Sequence, residues 1–179
     1  DQITSGDFSM EVQISAEHGQ VSFAGLVFGR KSAADFHAFL LYPPGVDAAG
    51  TRKQGYVDLT TFYGSGTFQI WRHTAVADAR AAGASASEPW NTLRVDVTGN
   101  LVDVWFDGEY IATQEFPSVD VLRGSFGLLA GNGQASFRNV RYLARHPRDP
   151  GSTIERSLKM EALGGAGKSY RIRDYRRPL

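Results

Sequence analysis

The sequence of 179 residues contains no cysteine. That excludes disulfides, thiolate metal sites and a cysteine nucleophile, while leaving the compartment undecided. No stretch approaches the roughly 18 apolar residues that a transmembrane helix needs. No Asn-x-Ser/Thr acceptor is present, and the four histidines include no i, i+4 pair, so no zinc motif is written into a helix face. The Asp-x-Asp-x-Asp-Gly run of a calcium loop is absent as well. The opening Asp1-Gln2-Ile3-Thr4 lacks the basic, apolar, small-residue succession of a signal peptide. A removed signal, or a boundary inside a longer protein, would look the same.

Net charge is also missing, with 19 Lys/Arg against 19 Asp/Glu, but the zero hides a split. Residues 1–146 carry 11 basic against 15 acidic side chains, a net of −4, and residues 147–179 carry 8 against 4, a net of +4. The basic residues are not spread over a folded face with interleaved aromatics, which argues against nucleic-acid binding. The basic end reads as a solvated tail, or as one that docks on the acidic body, a neighbouring domain or a subunit.

What the chain has is alternation. Leu93, Val95 and Val97 share one side of a run, and Val102, Val104 and Phe106 share one side of the next, with Thr98-Gly99-Asn100 between them. That pattern is an antiparallel hairpin with one buried face. Asp107-Gly108 turns the chain again, into a strand from Tyr110 to Phe116. Phe8 to Ala16 alternates too, with Phe8, Met10, Val12 and Ile14 facing in. Further strands are expected over 21–30, 36–42, 55–63, 67–73, 124–130 and 134–143. In the last of these neither period-2 set is clean, so its inward face stays unassigned. The 42% hydrophobic share, 20 glycines and many short strand-like runs place the chain in the all-β class, and the half-buried antiparallel meander implies a β-sandwich or a barrel. Ala75 to Glu88, with seven alanines, reads as a short helix or a loop over a sheet edge.

The division expected is a sandwich domain over 1–146 and an extension over 147–179. Ser152-Thr-Ile-Glu155 has the form of a capping box, and Ile154, Leu158 and Ala162 are spaced as one helix face. One short helix is therefore expected at about 152–163. Gly164-Gly-Ala-Gly-Lys168-Ser169 imitates a phosphate-binding loop, but no strand precedes it and the motif's first glycine would be Ala162. It reads as a flexible joint.

Several segments together resemble a known family. Trp90-Asn91-Thr92-Leu93-Arg94-Val95 followed by Val104-Trp105-Phe106-Asp107-Gly108 is similar to a recurrent hairpin of the concanavalin A-like lectin/glucanase superfamily. The nearest branch is the bacterial laminin-G-like domains, including the 3-keto-disaccharide hydrolase group and the levan-binding modules of fructan hydrolases. Phe8-Ser-Met-Glu-Val12, Ala24-Gly-Leu-Val-Phe28, Gly124-Ser-Phe-Gly-Leu128 and Phe137-Arg-Asn-Val140 resemble segments of the same domains. The resemblance covers roughly residues 7–144. It implies a concanavalin A-like jelly roll with a sheet face that in many relatives grips sugar, in an exported, extracellular or periplasmic bacterial protein.

Period-2 parity then proposes the face. With Phe68 and Ile70 taken as core, Gln69, Trp71 and His73 point outward. With Val102, Val104 and Phe106 as core, Asp103 and Trp105 point outward beside Arg94 and Asp96. Tyr56 and Asp58 are outward if Val57 and Leu59 are core. Aromatic rings stack on the C–H faces of sugars, and carboxylate and guanidinium groups take the hydroxyls in pairs. The carbohydrate-binding set is thus Trp71, Trp105, Tyr56, Asp58, His73, Arg94 and Asp103, for an oligo- or polysaccharide. Trp90, at the entry to a strand, reads as a core plug.

Catalysis is the rival reading, and the weaker one. The Glu-x-Asp-x-x-Glu run of laminarinase-type relatives is absent, and no catalytic residue is assigned. Asp58 with Asp96 or Asp103 would have to meet the carboxyl spacing of glycoside hydrolysis, about 5–5.5 or 6.5–9.5 Å, with His73 or His37 as a base. No cofactor and no metal site is expected, beyond a structural calcium ion that Asp35, Asp47 or Asp120 would hold if the laminin-G-like resemblance extends that far. A structural or adhesion domain without a sugar ligand is the third alternative.

Overall fold

Alternating apolar residues bury one side of a strand, and a computed structural model shows the two sheets that result. The structure describes residues 7–16, 21–46, 51–64, 66–76, 90–145, 153–163 and 169–174. In chain order the strands are β1 Asp7–Ala16, β2 Phe23–Arg30, β3 Phe36–Tyr42, the short β4 Gly45–Val46 and β5 Arg52–Lys53, β6 Gly55–Tyr63, β7 Thr67–Val76, β8 Asn91–Thr98, β9 Leu101–Phe106 and β10 Glu109–Glu115. A single turn of helix, α1 Val119–Leu122, precedes β11 Ser125–Gly131, β12 Ala135–Arg145, β13 Thr153–Leu163 and β14 Ser169–Asp174. The larger sheet has seven strands in the order β10-β9-β8-β1-β12-β13-β14, and the smaller has five, β11-β2-β3-β6-β7. Every neighbouring pair is antiparallel.

The sheets face each other across one core. Met10, Val12 and Ile14 of β1, Leu93, Val95 and Val97 of β8, and Val102 and Val104 of β9 are fully enclosed there against Leu26, Phe28, Phe39, Leu41 and Leu59 of the smaller sheet. The hairpin expected around Gly99 is present, and Asp107 and Gly108 both take positive φ, 48° and 85°, as a tight β9–β10 turn of the right-handed twist demands. Gly29 is a position where only glycine fits. Its φ is +59°, and a Cβ there would lie 2.8 Å from the His37 ring.

Two bulges explain where simple alternation misleads. On β7 the register slips between Leu59 and Thr60: Leu59 faces Arg72 while Thr60 faces Ile70, which leaves Trp71 as the extra residue. On β12, Asn139 sits at φ 52° where Glu11 faces Arg141 but Gln13 faces Arg138. The inward set of β12 is therefore Ala135 and Phe137 before the bulge, then Val140, Tyr142 and Ala144 after it. Each parity was right for half the strand.

The helix expected at about 152–163 is a strand instead. Thr153–Ser157 pairs with Arg145–Arg141 of β12, and Leu158–Leu163 pairs with β14. The segment satisfies both periods, because Ile154, Leu158, Met160 and Ala162 also alternate with Glu155, Ser157, Lys159 and Glu161. The open edge of β12 then supplies backbone partners along the strand, and local helix signals yield to that pairing. The phosphate-loop imitation at 164–168 and the alanine-rich 77–88 lie outside the described residues. Among the described residues no helix is long and apolar enough to cross a membrane.

Candidate functional site

The strand β3 reads Phe36-His-Ala-Phe-Leu-Leu-Tyr42, apolar on both sides, which is how a strand covered on both faces is written. Its core side carries His37, Phe39 and Leu41. Its outer side carries Ala38 and Leu40, which form a second small apolar cluster with Val27 of β2, framed by Phe23, Phe36, Tyr42, Phe62 and Leu129. The outer face of the smaller sheet is thus an aromatic-walled surface with its own buried floor.

At one end of that surface stand Tyr42, Tyr56, Asp58 and His73. Register places Tyr42 opposite Tyr56 and Asp58 opposite His73. The two tyrosine rings stack at 4.3 Å with an interplanar angle of 13°, Phe23 lies 5.5 Å from Tyr42, and the His73 ring lies 4.7 Å from Tyr56. His73 Nδ1 donates to Asp58 Oδ1 at 2.7 Å. Asp58 is only 3% exposed, although it belongs to an outer face. Burial pushes its carboxyl upward from the usual carboxylate range, and the hydrogen bond from His73 holds part of that rise back. Burial also pushes Tyr42 up to about 12, with the Asp58 charge adding to it, and raises Tyr56 for the same reasons. This is a shielded carboxylate with an accessible imidazole partner, beside a stacked aromatic wall.

The residues proposed from sequence do not form one face. Tyr56, Asp58 and His73 meet as described. Trp71 does not join them: the bulge turns it inward, where it packs on the core against Phe116 at 5.1 Å and donates its Nε1–H to Thr61 at 2.7 Å. Conversely Phe68 and Ile70, taken as core, stand on the outer face at 57% and 46% exposure.

Trp105, Arg94, Asp96 and Asp103 are on the outer face of the larger sheet, the other side of the sandwich. There Arg94 sits 5.6 Å over the Trp105 ring and forks onto Asp96 at 3.0 and 2.7 Å. Tyr110 meets Trp105 edge-on, and the Thr113 hydroxyl donates to Asp103. Asp96 and Asp103 face each other across the β8–β9 ladder, so neither can share a scissile bond with Asp58 on the opposite side. Trp90 is half-buried, lies outside the core cluster and is covered by the Arg138 guanidinium at 4.1 Å, so it is not a core plug.

His37, the other histidine considered, is interior. Its Nε2–H donates to the Val121 carbonyl at 2.8 Å and its Nδ1 accepts from the Thr61 hydroxyl at 2.7 Å. Among the described residues no group of three or more His, Asp or Glu side chains is gathered so as to hold a metal. Asp35 and Asp120 are within those residues, and Asp120 pairs with Arg123 at 2.9 Å, while Asp47 lies outside them.

Tyr42 and the Phe62–Phe68 pair were not among the residues proposed from sequence. The signal was there for Tyr42, in the two-sided apolarity of β3. For Phe68 it was hidden by the bulge.

Comparison with known proteins agrees with this architecture. The profile of a family described as 3-keto-alpha-glucoside-1,2-lyase-like domain matches residues 3–142. No curated protein sequence matches the chain. Among solved structures, the carbohydrate-binding module CBM66 from Bacillus subtilis is similar at a TM-score of 0.55 and 19% identity, over 76% of this chain and 74% of that one. The GH43 protein BlXynB from Bacillus licheniformis is similar at 0.55 and 14% identity, over 78% of this chain but 28% of that longer one. Sheep galectin-11, solved in complex with glycerol, is similar at 0.50 and 11% identity, over 80% and 95%. The fold is the concanavalin A-like jelly-roll sandwich.

Proposed function

We propose, from the premise that the chain belongs to the 3-keto-alpha-glucoside-1,2-lyase-like domain family, that it holds a glycoside on the outer face of its smaller sheet. One observation carries this reading: a carboxylate 3% exposed on an outer face, hydrogen-bonded to His73 and standing beside the Tyr42–Tyr56 stack. Burying such a group costs stability, and the hydrogen bond from His73 offsets only part of that cost. A sugar ring laid over the row of Tyr42, Tyr56 and His73 rings packs its C–H groups on them, and its hydroxyls are met by the Asp58 oxygens and the His73 ring. The neighbours named as a carbohydrate-binding module and a GH43 protein support the reading only through their shared fold. It carries with it an extracellular or periplasmic setting in a bacterium, as the sequence resemblance implies.

The test is a thermal-shift and glycan-array screen of the wild type beside Tyr56→Ala and Asp58→Asn. Ligand at about 100 times Kd stabilises the fold by roughly 2.7 kcal/mol. A sugar hit in the wild type that both variants lose supports the proposal. Silence across the array, with all three proteins folded, overturns it.

A second reading is favoured by the pairing of a raised carboxyl with an imidazole. A carbonyl at C3 of a glucoside acidifies the proton at C2, and removing that proton while the C1–O bond breaks is an elimination. It needs one group to accept the C2 proton and another to protonate the departing oxygen, which are roles an Asp58–His73 pair can divide. Incubation with a 3-keto α-glucoside tests this. Release of the C1 substituent that stops in Asp58→Asn and His73→Gln supports catalysis, and no release by the wild type leaves binding alone.

A further inference from the structure

The outer face of the smaller sheet does not end at Asp58. Asp58, Thr60 and Phe62 follow one another on the same side of β6, which puts Phe62 about 13 Å from Asp58 at ~3.3 Å per residue. Register sets Phe36 and Phe68 directly opposite Phe62 on its two sides, with ring centroids 4.6 and 6.1 Å away. Ile70 stands opposite Thr60, between this trio and the His73 end. Thr60 offers no hydroxyl outward, because its Oγ1 donates to the Gln69 carbonyl at 2.8 Å. The result is an apolar shelf continuous with the polar site, formed by the hydrocarbon side chains of Phe36, Phe62, Phe68 and Ile70.

Phe68 and Ile70 are 57% and 46% exposed, so the shelf is open to water and adds little to the core. Large apolar side chains left open beside a polar site mark a surface that something apolar covers. A second sugar ring is a poor occupant, since its hydroxyls would lose water and find no partner on phenyl and butyl groups.

We infer that the ligand of this face is an amphipathic glycoside, with its sugar at Asp58 and an apolar aglycone laid along Phe36, Phe62, Phe68 and Ile70. The inference rests on the proposed sugar site and names the class of molecule it takes. Continuity of the shelf with that site on the same two strands decides for one ligand spanning both, in preference to a separate partner.

The experiment measures binding of methyl α-glucoside and of octyl α-glucoside, the latter below its micelle concentration, by calorimetry on the full chain. Wild type, Asp58→Asn, Ile70→Thr and the double variant Phe68→Ser/Ile70→Thr are compared. The exposure of both shelf residues lets these variants fold. The expected result is octyl α-glucoside binding at least about tenfold more tightly than methyl α-glucoside, from the apolar area it buries. The shelf variants bring the octyl compound down to the methyl level and leave the methyl compound unchanged, while Asp58→Asn weakens both. Equal affinity of the two glycosides in the wild type overturns the inference and leaves the sugar site standing. Octyl binding that ignores Asp58→Asn, or that ignores the shelf variants, overturns it too. Binding of neither glycoside overturns the inference, while the sugar site stands or falls on the glycan array. A wild-type dimer in sedimentation that the double variant dissociates assigns the shelf to a second copy of the chain and overturns the aglycone.

Discussion

Replacing Thr61 by Val should destabilise the protein by an amount that can be worked out atom by atom. Thr61 is 1% exposed, and its hydroxyl links two rings: it accepts from Trp71 Nε1 at 2.7 Å and donates to His37 Nδ1 at 2.7 Å. The direction follows from the far side of the imidazole, where the Val121 carbonyl can only accept, so the proton is on Nε2 and Nδ1 is an acceptor. Valine keeps the shape and the strand preference of threonine but strands both rings' polar atoms. An unsatisfied buried group costs about 1–3 kcal/mol. His37 is buried and bears that cost in full, whereas the half-buried Trp71 recovers part of it from water. A loss of about 2 kcal/mol follows, or roughly 4–8 °C in Tm for a domain of this size. Urea titration followed by far-ultraviolet circular dichroism reads it directly, with Trp71 present or replaced. In a Trp71→Phe background the cost of Thr61→Val should shrink, giving a coupling of about 0.5 kcal/mol or more. A Thr61→Val protein within about 0.5 kcal/mol of wild type, or one whose loss is unchanged by Trp71→Phe, would refute the bridge and with it the inward placement of Trp71.

The same histidine sets an acid limit. Burial lowers the His37 pKa below its ordinary 6.5, so the unfolded chain binds a proton that the folded one refuses. Stability is therefore full above pH 6.5 and falls below it, by up to about 1.4 kcal/mol per pH unit, and a His37→Gln variant compared at pH 7.5 and 5.5 should lack that component. Asp58 works in the opposite direction. Its carboxyl is raised, so its contribution is present in acid and lost as pH rises from 3.8 through the folded value. Asp58→Asn should accordingly gain on wild type in urea midpoint between acid and neutral pH, and no gain would show that the carboxylate is not strained. Finally, Leu59→Ala, fully buried, should cost about 2–5 kcal/mol, while Phe68→Ala should cost well below that; comparable losses would put Phe68 back in the core.

Most of the fold was legible because its strands are half-buried and their alternation names the core face. Phe8 to Ile14, Leu93 to Val97 and Val102 to Phe106 all point as their patterns say. The failures have a common physical origin. A bulge adds one residue and reverses the parity beyond it, and nothing in Phe68-Gln-Ile-Trp-Arg-His73 or in Ser136-Phe-Arg-Asn-Val140 marks the extra residue. Residues 153–163 satisfy two periods at once, and only the free edge of β12 decides between them. The candidate site was half legible. Asp58, Tyr56 and His73 were identified, but their separation from Trp105, Arg94 and Asp103 depends on which sheet each strand joins, and parity carries no information on that.

The order of the larger sheet bears on how the chain reaches this state. Its first strand is central, held by β8 on one side and β12 on the other. Ser9 waits for Asp96, 87 residues on, and Gln13 for Arg138, 125 residues on. At a synthesis rate of about 5–20 residues per second, the apolar side of β1 stays unpaired for roughly 4–25 s after it emerges. Contacts so distant in sequence also slow the closing step itself. Nascent chains stalled before β12 should be held by chaperones or aggregate, and the sandwich should close only once β12 has left the ribosome.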